Sequence, residues 1–173
     1  MKRVLVAGVG NIFLGDDAFG VEVAQRLCAE AVPSGVRVVD FGIRSLHLAY
    51  ELLDGEYDLT VLVDASPRGG APGTLYVIEP DLGTDRPAVA ADAHAMNPDA
   101  VFTALRALGG EPGRVMIVGC EPASVEEGMG LSAEVSAAVD EGVKLVLEVL
   151  ARECTEGECD VPGDSRPDRA VAS

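Results

Sequence analysis

The chain has 173 residues, enough for one domain or one domain plus a tail, and its 48% hydrophobic fraction supports a sizeable core. Aromatic residues make up 4% and Trp is absent, so that core must be mostly Val, Leu, Ala and Ile. A net charge of −16 argues against nucleic acid and anionic membranes as partners, and fits a basic partner or a bound cation.

No apolar run reaches the roughly 18 residues of a membrane-crossing helix. The start, MKRVLVAGVGN, has the basic end and apolar stretch of a signal peptide, but it runs straight into Gly-Val-Gly-Asn with no small-residue cleavage pattern. It reads as the first strand of a cytosolic protein.

Residues 3–9 read as a buried strand. Residues 17–31 read as a helix with Val21, Ala24, Leu27, Cys28 and Ala31 on one face, broken by Pro33 and Gly35. Val36 to Val39 is a short strand ending in Asp40, and Ser45 to Leu53 a second helix. Leu59 to Val63 is an apolar strand ending at Asp64. Continuous rather than alternating apolar strands imply burial on both faces, as in a parallel sheet covered by helices. Arg68-Gly-Gly-Ala-Pro-Gly is a turn, and Thr74 to Ile78 a further strand. That link is too short for a helical crossover, so the strand is expected antiparallel, at or near an edge.

Residues 80–96 form a long loop rich in Ala, Pro and Asp, and loops of that length in a compact domain are usually functional. Residues 98–108 read as a third helix and Val115 to Val118 as a strand; Ser132 caps a final helix to about Arg152. The predicted domain is 1–152, and the polar, acidic tail 153–173 is expected to be disordered. The fold class is α/β: a three-layer sandwich with a mostly parallel, twisted five-stranded sheet, one antiparallel strand and helices on both faces. If the second and third strands flank the first, the strand order reverses there, and ligands of such sheets bind beyond the strand ends at the reversal.

Four cysteines are present. Cys28, in a helical pattern, and Cys120, at a strand end, read as small buried side chains. Cys154 and Cys159 lack a second pair and the tighter spacing of a zinc site, and read as free thiols.

The segment GVGNIFLGDDAFG, Gly8 to Gly20, stands at the predicted reversal. Strand–glycine–helix junctions commonly serve phosphates. Here the turn delivers two carboxylates, Asp16 and Asp17, which repel a phosphate and attract a cation. Asp17 opens the first helix, where the helix dipole favours an ionised carboxylate. Asp64 should neighbour it, and His94, in the 80–96 loop, could fold over both. Two carboxylates and an imidazole suit a borderline divalent ion with open positions for substrate or water. Each residue also has a plainer reading: helix cap for Asp16 or Asp17, loop cap for Asp64, exposed loop residue for His94.

Two other chemistries are weaker. Gly8-Val-Gly10-Asn11 begins a dinucleotide fingerprint, but the third glycine falls on Phe13 and the paired acids would face the pyrophosphate; Asp40 is the one acid placed for a ribose. Ser45 and Ser66 lie near strand ends outside any nucleophile elbow, His47 falls inside the second helix, and Cys120 has no histidine near it in sequence.

At these residues the chain resembles the hydrogenase maturation proteases, the endopeptidases that finish the large subunit of nickel–iron hydrogenases. The resemblance rests on GVGNIFLGDDAFGVEV, VVDFG at 38–42, TVLVDAS at 60–66, APGTLYVIE at 71–79, AHAMNP at 93–98 and VGCEPASVEEGMGLS at 118–132. It implies that Asp17, Asp64 and His94 are the metal-contacting and catalytic residues. It also implies that the metal is nickel carried by the precursor, with no organic cofactor, and that the reaction removes the precursor's C-terminal extension. Two departures stand out. Many members read Asp-Gly-Gly-Thr where this chain has Asp40-Phe-Gly-Ile-Arg-Ser, a loop that contacts substrate, and some carry Glu where Asp17 stands. A cytoplasmic monomer that binds no nucleic acid or membrane is expected. The alternatives are a non-catalytic nickel-dependent chaperone for the precursor and a divalent-metal phosphohydrolase.

Overall fold

The computed structural model describes residues 1–82 and 98–155. Strand β1 (Val4–Val9) leads through a 3-10 turn (Gly15–Ala18) into helix α1 (Phe19–Leu27), followed by β2 (Val36–Gly42) and α2 (Ser45–Gly55). Then come β3 (Leu59–Ala65), β4 (Leu75–Ile78), α3 (Pro98–Ala107), β5 (Arg114–Cys120) and α4 (Ala133–Thr155). The strand order is β2-β1-β3-β5-β4, parallel except for the edge strand β4, which runs antiparallel to β5. The five-stranded α/β sandwich expected from the sequence is therefore the fold observed, and the reversal falls at β1, between β2 and β3.

The burial of β1 on both faces follows from its sequence. Val4 and Val6 point into a core with Phe19, Val23 and Leu27 of α1 and Val139, Val146 and Leu150 of α4. Leu5, Ala7 and Val9 point into a second core with Leu48 of α2 and Val101, Phe102 and Leu105 of α3. The two helix layers are thus α1 with α4 and α2 with α3, each sealing one face of the sheet.

Three local expectations are corrected. The first helix, expected over residues 17–31, begins at Phe19 and ends at Leu27. The acids before it are wound into the tighter 3-10 turn, and Ala29 and Glu30 close onto Arg26 and Leu27 by three-residue hydrogen bonds. Cys28 is exposed rather than buried, because the apolar stripe of α1 ends at Leu27, whereas Cys120 is buried as expected. Helix α4 passes Arg152 to Thr155. Buried Glu153 binds Lys2 at 2.8 Å and also pairs with Arg114, and Cys154 packs against the core, so residues 153–155 belong to the folded body. Residues 156–173, including Cys159, lie outside the described residues.

Two features aim the turn after β1. A close backbone approach needs glycine: a Cβ at Gly20 would sit 2.0 Å from the Val63 carbonyl oxygen and 2.4 Å from that of Val9. Gly10 has φ +145°, and a Cβ there would meet the Asp17 carbonyl oxygen at 1.9 Å. The start of α1 therefore rests on the ends of β1 and β3. The second feature is Asp16. Its buried carboxylate accepts hydrogen bonds from the amides of Ala123 (2.8 Å), Ser124 (3.2 Å) and Ser132 (2.7 Å) and from Ser132 Oγ (2.9 Å). Burial alone would raise its pKa, but these donors, Ser132 foremost, hold it below the ordinary value. Backbone bonds from Gly15 to Gly128 and from Asp16 to Ser124 complete the clamp between this turn and the 121–132 loop. Ser132 also caps α4 through Val135, as expected.

Gly20→Ala is expected to cost about 2–3 kcal/mol in urea unfolding, because backbone rather than a movable side chain blocks the new methyl. Asp16→Ala should cost about 2–4 kcal/mol at neutral pH, leaving buried amides unpaired. Because Asp16's folded-state pKa is depressed, its stabilisation is present above the ordinary carboxylate range and lost as pH falls through the lowered value. The deficit of Asp16→Ala should therefore shrink in acid, and a deficit that stays constant down to low pH would contradict the clamp.

Candidate functional site

Asp17 lies within the 3-10 turn and is 5% exposed. Its Oδ2 accepts the Asn11 amide at 2.7 Å, which fixes the carboxylate against the residue that leaves β1. Burial raises its pKa, and the bond from Asn11 offsets only part of that rise. Asp64, near the carboxyl end of β3, is also 5% exposed. The 3-10 turn packs against β3, so the two aspartates meet at the strand-order reversal.

Asp64 is the strained member of the pair. Its Oδ1 is buried without any hydrogen-bond partner among the described residues. Its pKa is raised well above the ordinary value, first by burial and then by the negative charge of Asp17, against a smaller lowering by the Ala65 amide. Buried oxygens in stable proteins are nearly always satisfied, so an orphaned carboxylate oxygen beside a second carboxylate suits a cation or a proton. The structure thus brings together two of the three residues singled out in the sequence. His94 lies outside the described residues. Among the described residues no three His, Cys, Asp or Glu side chains form a metal-holding group.

The other candidates take plainer places. Asp40 lies in β2, across β1 from Asp64, with its carboxylate on the Gly42 amide (2.9 Å) and Gln25 Nε2 (3.2 Å). Phe13, where a dinucleotide site needs glycine, is exposed. Ser45 begins α2, His47 is exposed on the same helix, and the Ser66 amide is bonded to the Cys120 carbonyl. The Cys120 thiol is pushed up to about 11 by burial and by Asp16 and Glu121, the reverse of an activated nucleophile.

Sequence reasoning passed over Glu121. This buried carboxylate accepts the amides of Arg68 (2.8 Å) and Gly69 (3.2 Å) and the Tyr76 hydroxyl (2.9 Å). The bond from Arg68 leads these in holding its pKa low. It pins the glycine-rich turn that follows Asp64. The available signal was an acid directly after a buried strand, which needs donors from somewhere. Also passed over was a groove between residues 10–13 and 40–44, floored by Val21 and Phe41, with a volume of about 330 Å³.

A family model described as hydrogenase maturation protease matches residues 21–149, a window that opens just after Asp17 and contains Asp64 and His94. The hydrogenase 2 maturation protease of Escherichia coli K12 is 30% identical over 154 residues, which cover 86% of this chain and 90% of that protein. The solved structure of the hydrogenase maturating endopeptidase HybD from E. coli superposes with a TM-score of 0.70 at 29% identity, covering 88% of this chain and 94% of that one. A hydrogenase 2 maturation peptidase from a Thaumarchaeota archaeon superposes with a TM-score of 0.65 at 31% identity, covering 87% and 99%. A match of this breadth settles descent: the chain is an endopeptidase and belongs to the hydrogenase maturation protease family.

Proposed function

We propose that this endopeptidase removes the C-terminal extension of a nickel–iron hydrogenase large-subunit precursor after nickel has been inserted. Asp17, Asp64 and His94 are the side chains that meet the nickel. The observation that carries this reading is the orphaned Asp64 Oδ1 beside Asp17. His94 enters through the resemblance of its AHAMNP segment to the family's loop histidine.

The nickel travels with the substrate, so the enzyme needs no storage site and no thiolate. Alone, the two buried carboxylates repel each other and favour protonation. A divalent ion reverses both terms: it neutralises the pair and displaces the proton from Asp64. A precursor carrying nickel therefore gains an interaction that an empty one lacks. Two chemical routes are open to such a site. The ion can polarise the scissile carbonyl and stabilise the developing oxyanion. Alternatively Asp64, with its raised proton affinity, can accept the proton of the attacking water.

Nickel-loaded precursor should be shortened, as weighed by mass spectrometry, and nickel-free precursor should not. Asp17→Asn, Asp64→Asn and His94→Ala should each slow processing by at least about 100-fold, the usual cost of one charge-stabilising contact. Full-rate cleavage by all three, or equal cleavage of both precursors, overturns the reading. Binding without shortening identifies a chaperone instead, and hydrolysis of small phosphate esters a phosphohydrolase.

The raised pKa of Asp64 predicts a stability effect of known sign. A carboxyl whose folded-state pKa lies above its unfolded one stabilises fully in acid and loses that contribution as pH rises through the folded value. Asp64→Asn, neutral at every pH, should thus melt higher than the parent at neutral pH, by about 2–4 °C per kcal/mol relieved, and the gain should vanish in acid. A lower melting temperature at neutral pH would show that Asp64 is satisfied in the free enzyme.

A further inference from the structure

We propose that the groove beside Asp17 is a specificity subsite for one large apolar side chain of the precursor, carried on the extended segment next to the bond to be cut. This inference rests on the proteolytic reading above and adds a sequence requirement to it. The floor is Val21 of α1 and Phe41 of β2, both buried; the walls are Ile12 and Phe13 after β1 and Ile43 after β2. Phe13 is 60% and Ile43 62% exposed, in a chain where aromatic residues are only 4% of the sequence. Large apolar side chains around an apolar hollow mark a binding surface rather than core.

The polar side chains at the groove's edge are partly engaged within the chain. Arg44 donates from Nε to the Phe41 carbonyl at 3.0 Å and through its guanidinium to the Asp40 carbonyl. The Asp40 carboxylate is taken by Gly42 and Gln25. The lining is mainly hydrocarbon, and a volume of about 330 Å³ lies at the small end for ligand pockets, fit for a side chain rather than a large cofactor.

The occupant follows from the groove's position. Gly10 and Asn11 line it, and the Asn11 amide also holds Asp17 Oδ2 at 2.7 Å. The groove and Asp17 thus share the backbone of Asn11, so a polypeptide whose reacting bond lies at Asp17 and Asp64 can place a neighbouring side chain in the groove. A second copy of this chain, at −16, would be repelled.

The test uses full-length enzyme and nickel-loaded precursor, with rate followed against precursor concentration. Phe13→Asp and Ile43→Asp change exposed positions. Each should raise KM at least about tenfold with kcat within about twofold and an unchanged urea midpoint, and Ile43→Leu should restore the parental KM. In parallel, each large apolar residue of the precursor within about five positions of the scissile bond is changed to Ala. One of these should reproduce the rise in KM and add nothing when combined with Ile43→Asp, as for two halves of one contact. Unchanged KM in both enzyme variants, or no precursor position that couples to Ile43, overturns the subsite. A wild-type enzyme that cuts no precursor overturns the proteolytic reading instead, so the two failures are distinct.

Discussion

Two carboxylates held out of water at the reversal of strand order set the terms for the rest of the molecule. An isolated buried carboxylate is costly, and a second one beside it adds repulsion to desolvation. Asp64 bears both costs, and its Oδ1 has no donor among the described residues. A fold can carry such a group only where surrounding structure leaves it no alternative. Here the backbone supplies that structure. Gly20 seats the start of α1 directly on the Val9 and Val63 carbonyls, and Gly10 lets the chain turn beneath Asp17. Moving Asp17 outward would lift the start of α1 from the core that Phe19, Val23 and Leu27 share with α4.

Asp16 and Asp17 show how neighbouring residues of one type take opposite roles. Asp16 collects four donors from a loop more than a hundred residues away, and they outweigh its burial. Asp17 receives one amide, and its burial prevails. The first is ionised and satisfied, a tie between the turn and the 121–132 loop. The second keeps unspent capacity for charge. Glu121 repeats the structural pattern directly after β5, with its carboxylate consumed by the turn at Arg68 and Gly69. Both satisfied acids meet the segment that follows β5, and each fixes a turn next to one member of the unsatisfied pair.

What could be read from the sequence divides along the range of the interactions concerned. The continuous apolar runs of β1 and β3 announced burial on both faces, the short link before β4 announced an antiparallel strand, and the placing of Asp17 and Asp64 at strand ends followed from topology. These rest on local pattern and on rules of connection. The helix drawn from residue 17 failed because the partners that wind Asp16 into a 3-10 turn are distant in sequence. The end of α4 was drawn too early because Glu153 finds Lys2 and Arg114, which no window of sequence contains. Cys28 sat on a helical stripe that stops one residue before it. His94 came from a family motif more than from its setting, and it lies outside the described residues.

A pair of buried carboxylates is a poor reader of identity. Oxygen ligands accept many divalent ions, and affinity among first-row metals follows a general order that no two aspartates reverse. In the proposed reading the pair therefore reports that a precursor is loaded, and it says nothing of which precursor it is. Selection of the partner must come from contacts made before the charge is neutralised, by surfaces that touch polypeptide. Electrostatics gives a broad filter, since a −16 surface repels acidic proteins at a distance. Finer selection needs shape and apolar contact close to the reacting bond, where misalignment of about an ångström already costs rate. The loop that departs from the common family pattern, Asp40-Phe-Gly-Ile-Arg-Ser, supplies Phe41 and Ile43 to the groove beside Asp17. In the proposed reading, a change there alters which polypeptide is accepted and leaves the charge test at Asp17 and Asp64 untouched.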